Sequence, residues 1–234
     1  MSEQYSPTGF RVLPPVVKNL LIINVLLYLA TFTMNRFHID LTDYLGLHFF
    51  MASDFKPYQL ITYMFMHGNF EHLFFNMFAL WMFGNTLENI WGSKRFLLFY
   101  MVCGIGAGLC QEVVQYIQYA TTLAQYDSVN LGGGHVISMA SYLNLMNTVG
   151  ASGAIYGLLL AFGMMFPNSM IYLYFFVPIK AKWFVIGYAV IELVSGFIGG
   201  GNVAHFAHLG GMLFGLILIL VWKKKGKLYG GQIY

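Results

Sequence analysis

The stretch GASGAIYGLLLAFGMMFP, residues 150–167, decides how this chain is read. A serine lies between small residues and glycines at the mouth of an apolar run. Ser152 is either a packing residue at a close helix contact or a nucleophile. Working outward, 58% of the chain is hydrophobic, 18% aromatic and only 9% charged. Soluble domains carry about a quarter charged residues. A soluble core of 234 residues cannot hide so much apolar surface, so the composition describes one integral membrane domain.

Residues 1–16 are polar and proline-bearing, and the first apolar segment follows at once, which reads as a retained span rather than a cleaved signal. The absence of a visible targeting segment points to a prokaryotic plasma membrane. Cys103 and Cys110 are seven residues apart in one apolar segment. On a helix that is about 10 Å, too far for a disulfide, so both read as small packing residues. The net charge of +3 does not indicate nucleic-acid binding, because the positive charge lies mainly in short inter-span segments.

Six apolar helices are expected over roughly 17–35, 68–90, 95–118, 151–166, 182–198 and 204–222. Between them lie a long first loop (36–58), a polar loop (119–149) and a glycine cap, IGGGN (198–202). The domain division is a cytoplasmic segment 1–16, a six-span domain 17–222 and a basic tail 223–234. Ten of the twelve basic residues fall on one side of this arrangement, leaving Arg36 and Lys56 on the other. By the positive-inside rule both termini are cytoplasmic, and the second, fourth and sixth spans begin at the outer face.

Polar residues inside spans are costly and usually functional. Here they cluster at those three beginnings. HGNFEHLFFN supplies His67, His72 and Asn76; GASGAIYG supplies Ser152 and Tyr156; NVAHFAHLGG supplies His205 and His208. Ser152 is fifteen residues before Pro167, and His208 fifteen before Lys223. Each therefore lies about 22 Å above the inner boundary of a layer about 30 Å thick, at one common depth. Gly153 and Gly157, and Gly211 and Gly215, form small-xxx-small pairs that let two helix backbones approach. Such a crossing would bring Ser152 and His208 within hydrogen-bonding reach.

A serine hydroxyl is a weak nucleophile until a base takes its proton, and histidine is the usual base. The oxyanion formed on the attacked carbonyl needs donors already in place. Ser152 starts a helix, so neighbouring backbone N–H groups lack intrahelical partners. His72 and Asn76, four apart on one helical face, add side-chain donors, and the Tyr156 ring can pack against His208.

Taken together in order on six spans, GASGAIYG, HGNFEHLFFN and AHFAHLGGMLFG resemble the rhomboid intramembrane serine proteases over roughly 17–222. The resemblance implies an all-α, six-transmembrane-helix bundle. It implies Ser152 as nucleophile, His208 as general base, and an oxyanion site of His72, Asn76 and the Ser152 backbone. Gly150 matches the glycine of the family's G-x-S-G motif. The implied partners are transmembrane or membrane-adjacent polypeptides, cut near the outer face after a small residue, with no metal or organic cofactor. Rhomboids often carry Trp-Arg shortly before the histidine-rich motif. Tyr58-Gln59 stands here instead, which leaves open how the first loop is pinned.

Blander readings stand beside these. His205 reads as supporting or structural, and His67 as a brace for the first loop. Glu192, in the fifth span near the depth of His208, reads as an interhelical hydrogen-bonding group, with a third-member role beside a histidine as the alternative. Glu88 reads as structural, and Gly199–Gly201 as a tight turn or a mobile cap. A metal site of His67, His72, His205 and His208 would leave GASG and Asn76 without a purpose. A non-catalytic client-binding relative would be expected to lack a dyad residue. A transporter would continue its polar residues to the inner side.

Overall fold

The computed structural model describes residues 10–173, 176–198, 204–226 and 228. Helix α1 (Pro15–Met34) opens on a proline, which fits a first helical turn whose N–H is unpaired in any case. Pro14 offers no side-chain cap. The Glu88 carboxylate takes that role, accepting from Val16 N at 3.0 Å and Val17 N at 2.8 Å.

The first loop carries α2 (Leu41–Leu45), β1 (Leu47–His48) and α3 (Gln59–Thr62). Asp40 caps α2 by accepting from Thr42 N at 2.8 Å. Next come α4 (Phe70–Ala79), a π-helical turn (Leu80–Gly84) and α5 (Asn85–Trp91), which together form a continuous helical rod. Asn69 caps that rod through His72 N, so it begins two residues later than the apolar run suggests.

Helix α6 (Ser93–Gln118) follows and continues as a π-helical turn to Leu123. The second loop folds as a hairpin, β2 (Ser128–Asn130) with β3 (Val136–Ser138), then α7 (Met139–Leu145) and β4 (Asn147–Thr148). Helix α8 (Ser152–Met165), the hairpin of β5 (Met170–Leu173) and β6 (Val177–Lys180), α9 (Ala181–Ile198) and α10 (His205–Lys224) complete the described elements. The expected spans are thus helical, with ends shifted by one or two residues. The short antiparallel pairs lie in the connections, where chain leaving a helix needs new partners for its backbone groups.

Among the described residues, four helical stretches are long and apolar enough to cross a membrane: Pro15–Phe37, Ser93–Leu123, Ala181–Ile198 and His205–Lys224. Helix α8 is shorter, at 14 residues. It rises about 21 Å, less than the roughly 30 Å of a hydrocarbon core. It can be short because it packs between α6 and α10, with Gly153, Ala154, Gly157, Leu158 and Ala161 buried.

Glycine seams permit this packing. A Cβ on Gly211 would run into the Gly153 carbonyl, and one on Gly157 into the Cys103 side chain. One on Gly215 would stand 3.3 Å from Gly157 Cα. One on Gly210 would stand 2.5 Å from Cys110 Cβ. Both cysteines are free and fill space at these crossings.

The two loops are joined rather than independent. β1 pairs antiparallel with β4, Leu47 opposite Thr148 and His48 opposite Asn147. Gln59, only 1% exposed, does the pinning left open by the missing Trp-Arg pair. Its Oε1 accepts from Lys56 N at 3.0 Å, and its Nε2 donates to Asp54 O at 3.1 Å and Tyr44 O at 3.3 Å. The Tyr58 hydroxyl also donates to Tyr44 O, at 3.1 Å.

Candidate active site

Three helix beginnings meet at one end of the bundle. Ser152 is the first residue of α8, and His208 lies in the first turn of α10. The α8–α10 seam of Gly153, Gly157, Gly211 and Gly215 sets their separation: Ser152 Oγ and His208 Nε2 are 2.8 Å apart. Tyr156, one turn along α8, lays its ring on the His208 imidazole, with centroids 4.1 Å apart and planes 7° from parallel. The His208 ring is thereby fixed in plane, with one nitrogen directed at the serine.

Gly150 sits just before α8 with φ +129, a conformation that L side chains rarely adopt. Its N–H donates to Tyr63 O at 2.9 Å, anchoring the turn to the chain just before the second apolar helix. A Cβ there would stand 2.8 Å from both Cε1 and Nε2 of His72, and 3.5 Å from Ser152 Oγ. The His72 imidazole and the Ser152 hydroxyl therefore flank the same small space, and only glycine leaves it open.

Asn76 follows one turn after His72 on the same helix and is buried, with its Nδ2 unpartnered among the described residues. An unpaired amide donor in an apolar surround is costly, and a ligand oxygen would relieve it. His67 packs edge-on against His72, centroids 5.0 Å apart, which fixes the His72 ring from behind.

The fifth apolar helix adds a residue of more consequence than its sequence context conveys. Glu192 on α9 is buried at the same end of the bundle. Its Oε1 accepts from the Tyr156 hydroxyl. Its Oε2 is 2.6 Å from His205 Nδ1 and 3.0 Å from His208 Nδ1. The first two are interhelical hydrogen bonds of the expected kind. The third reaches the far side of the imidazole that faces Ser152, a convergence that periodicity along α9 does not reveal.

Glu192, His205 and His208 hold ligand-type atoms within 4.8 Å of one another. The 2.6 and 3.0 Å separations are hydrogen-bond spacings; ligands around one zinc ion stand roughly 3.3 Å apart. His67 packs against His72, and His205 against His208, and among the described residues the ligand-type atoms that converge are those of Glu192, His205 and His208. The four histidines do not form the single cluster that a metal reading requires. Gly199–Gly201, read from the sequence as a cap, lie outside the described residues.

Fold and site define a helical membrane protein with a serine–histidine pair at one end of its bundle, the histidine buried and the serine half-buried. The Rhomboid domain family matches residues 54–225, and the chain belongs to that family. It is 28% identical over 172 residues to the rhomboid protease AarA of Providencia stuartii, covering 68% of this chain and 53% of that one. It is 29% identical over 218 residues to rhomboid-like protein 11, chloroplastic, of Arabidopsis thaliana, covering 80% and 63% respectively. Rhomboid protein 1, mitochondrial, of Saccharomyces cerevisiae matches at 29% over 154 residues, covering 65% and 38%. The chain thus spans about two fifths to three fifths of these two eukaryotic relatives' length.

Proposed function

We propose that this protein is an intramembrane serine endopeptidase. Ser152 is the nucleophile and His208 the general base. The observation that carries this reading is the 2.8 Å separation between Ser152 Oγ and His208 Nε2, with Tyr156 stacked on the imidazole. The named protease among its relatives supports the reaction class.

In the proposed reaction, His208 Nε2 takes the Ser152 proton as Oγ attacks the scissile carbonyl carbon. The resulting oxyanion is held by the His72 imidazole, the Asn76 amide and the Ser152 N–H, which as a first-turn donor has no intrahelical acceptor. The C–N bond breaks, and His208 passes its proton to the leaving amine. Water then gives a proton to His208 and attacks the acyl carbon; the ester C–O bond breaks, and His208 returns that proton to Ser152 Oγ. Gly150 leaves room for this geometry, and His67, His205 and Tyr156 support it.

The substrates are transmembrane or membrane-adjacent segments of other proteins, cut near the outer face of the bilayer. The chain crosses the membrane six times over residues 17–222, with segments 1–16 and 223–234 on the cytoplasmic side. Besides the four long helices, the rod from Phe70 to Trp91 and α8 supply the remaining crossings, and the side to which Lys and Arg fall supports the orientation.

Cleavage of a reporter transmembrane substrate by detergent-purified protein tests the reading. Ser152→Ala and His208→Ala should each lower cleavage by about 10⁴-fold or more while leaving the thermal unfolding midpoint in place. Equal cutting by wild type and Ser152→Ala would sink the assignment. Absence of cutting and of fluorophosphonate labelling in the wild type would favour a client-binding protein.

A further inference from the structure

The pairing described above leaves one requirement unmet. A neutral imidazole can accept the serine proton at Nε2 only if its own proton is on Nδ1, and the group facing Nδ1 sets that choice. Glu192 Oε2 stands 3.0 Å from His208 Nδ1. We propose that Glu192 is a positioning residue for the Ser152–His208 pair, selecting the Nδ1–H tautomer and stabilising the imidazolium that forms on proton transfer. The inference rests on the serine-protease reading and deepens it.

Three observations carry it. Glu192 is buried, and a buried carboxylate in an apolar bundle persists only with partners. Its two oxygens face Tyr156, His205 and His208, and two of these three rings stack on one another. Tyr156 therefore acts twice, holding the plane of the His208 ring through its face and the carboxylate through its hydroxyl. His205 Nδ1, at 2.6 Å, fixes the second oxygen where it also meets His208. The His208 Nδ1 contact is short but not aligned as a directed hydrogen bond. Such bonds are often poorly aligned in a free enzyme and tighten when substrate and charge arrive.

A purely structural role is the competing account. Helix α9 is the less buried element: 17% of its apolar stretch is buried against 44% for α10. Glu192 could serve only to tether it to α8 and α10. The two roles separate in kinetics. A tether changes stability and substrate binding; a positioning group changes the chemical step.

The test uses the full chain in detergent, measuring fluorophosphonate labelling of Ser152 and cleavage of a reporter transmembrane substrate. Glu192→Gln keeps shape and polarity but removes the charge and presents an amide that can donate to Nδ1. It should slow labelling and lower kcat by about 10-fold or more, with KM within about 2-fold. Glu192→Asp should recover part of the loss. Tyr156→Phe, which keeps the stacked ring and frees Oε1, should cost less than Glu192→Gln and is informative even if the latter fails to fold.

Wild-type labelling and kcat in Glu192→Gln would overturn the inference while leaving the protease reading intact. A loss confined to KM or to the unfolding midpoint would do the same. A wild-type protein that neither labels at Ser152 nor cuts would overturn both.

Discussion

Of the three glutamates buried among the described residues, Glu88 and Glu192 have surroundings that differ in kind. Glu88 meets backbone and a hydroxyl: Val16 N, Val17 N and the Ser93 hydroxyl at 2.6 Å. Around it the chain is stitched further by Asn89, which accepts from Arg11 N and donates to Arg11 O. Trp91 packs close by, against Phe99 and Trp222. Among the described residues, Glu192 meets side chains, a tyrosine and two histidines that border the candidate active site.

A carboxylate whose oxygens face a helix N-terminus is satisfied by groups that cannot titrate or move independently. One that faces imidazoles is coupled to protonation and ring orientation. The first kind holds a fold together; the second tunes a reaction. Burial alone does not distinguish them, and the identity of the donors does.

The contrast predicts that substitutions at the Ser152 end cost activity out of proportion to stability, and those at the Glu88 end the reverse. The strongest test is the α8–α10 seam. Gly211→Val would drive a branched side chain into the Gly153 carbonyl and push α10 from α8. Displacing His208 by about 1 Å should reduce cleavage by about 10²-fold, read as initial rates on folded protein. Near-normal rates would mean that the seam does not set the Ser152–His208 distance.

Asn76→Ala should reduce kcat by about 10²-fold or less, because other oxyanion donors remain. Unchanged kcat would remove Asn76 from the oxyanion site. Smallest in activity is Glu88→Ala. It should leave cleavage per folded molecule unchanged while lowering stability by about 2 kcal/mol, since two helix-start N–H groups lose their acceptor. Denaturant titration in mixed micelles reads the stability, and a fall in the specific rate of the folded fraction would erase the distinction between the two ends.

Much of this architecture was legible along the chain because the bilayer imposes one rule everywhere. Each apolar run must close its own backbone hydrogen bonds, so helices follow from hydrophobicity and length. Polar residues at the starts of the HGNFEHLFFN, GASGAIYG and AHFAHLGG segments stood out because such groups are expensive there. The glycine pairs pointed to a close crossing of α8 and α10, the crossing that sets Ser152 against His208.

Other features were not legible. Gln59 does not look like a loop anchor, because glutamine becomes one only when chain at Tyr44, Asp54 and Lys56 folds back around it. The pairing of β1 with β4 joins segments a hundred residues apart in sequence through two residues each, too short to show any alternation. The helix from Phe70 to Trp91 conceals its π-helical turn, since periodicity averages over a single widened turn.

The sequence by itself determined the membrane setting, the positions of the helices and the residue types capable of chemistry, because these depend on local hydrophobicity and on the cost of polar groups in lipid. Only the tertiary structure decided which polar groups face which. Glu192 lies sixteen residues from His208 and thirty-six from Tyr156; its depth along the chain allows a meeting but does not say which way the side chain turns. The rotation of α9 about its own axis brings its one carboxylate to both, and that rotation is set by packing against α8 and α10.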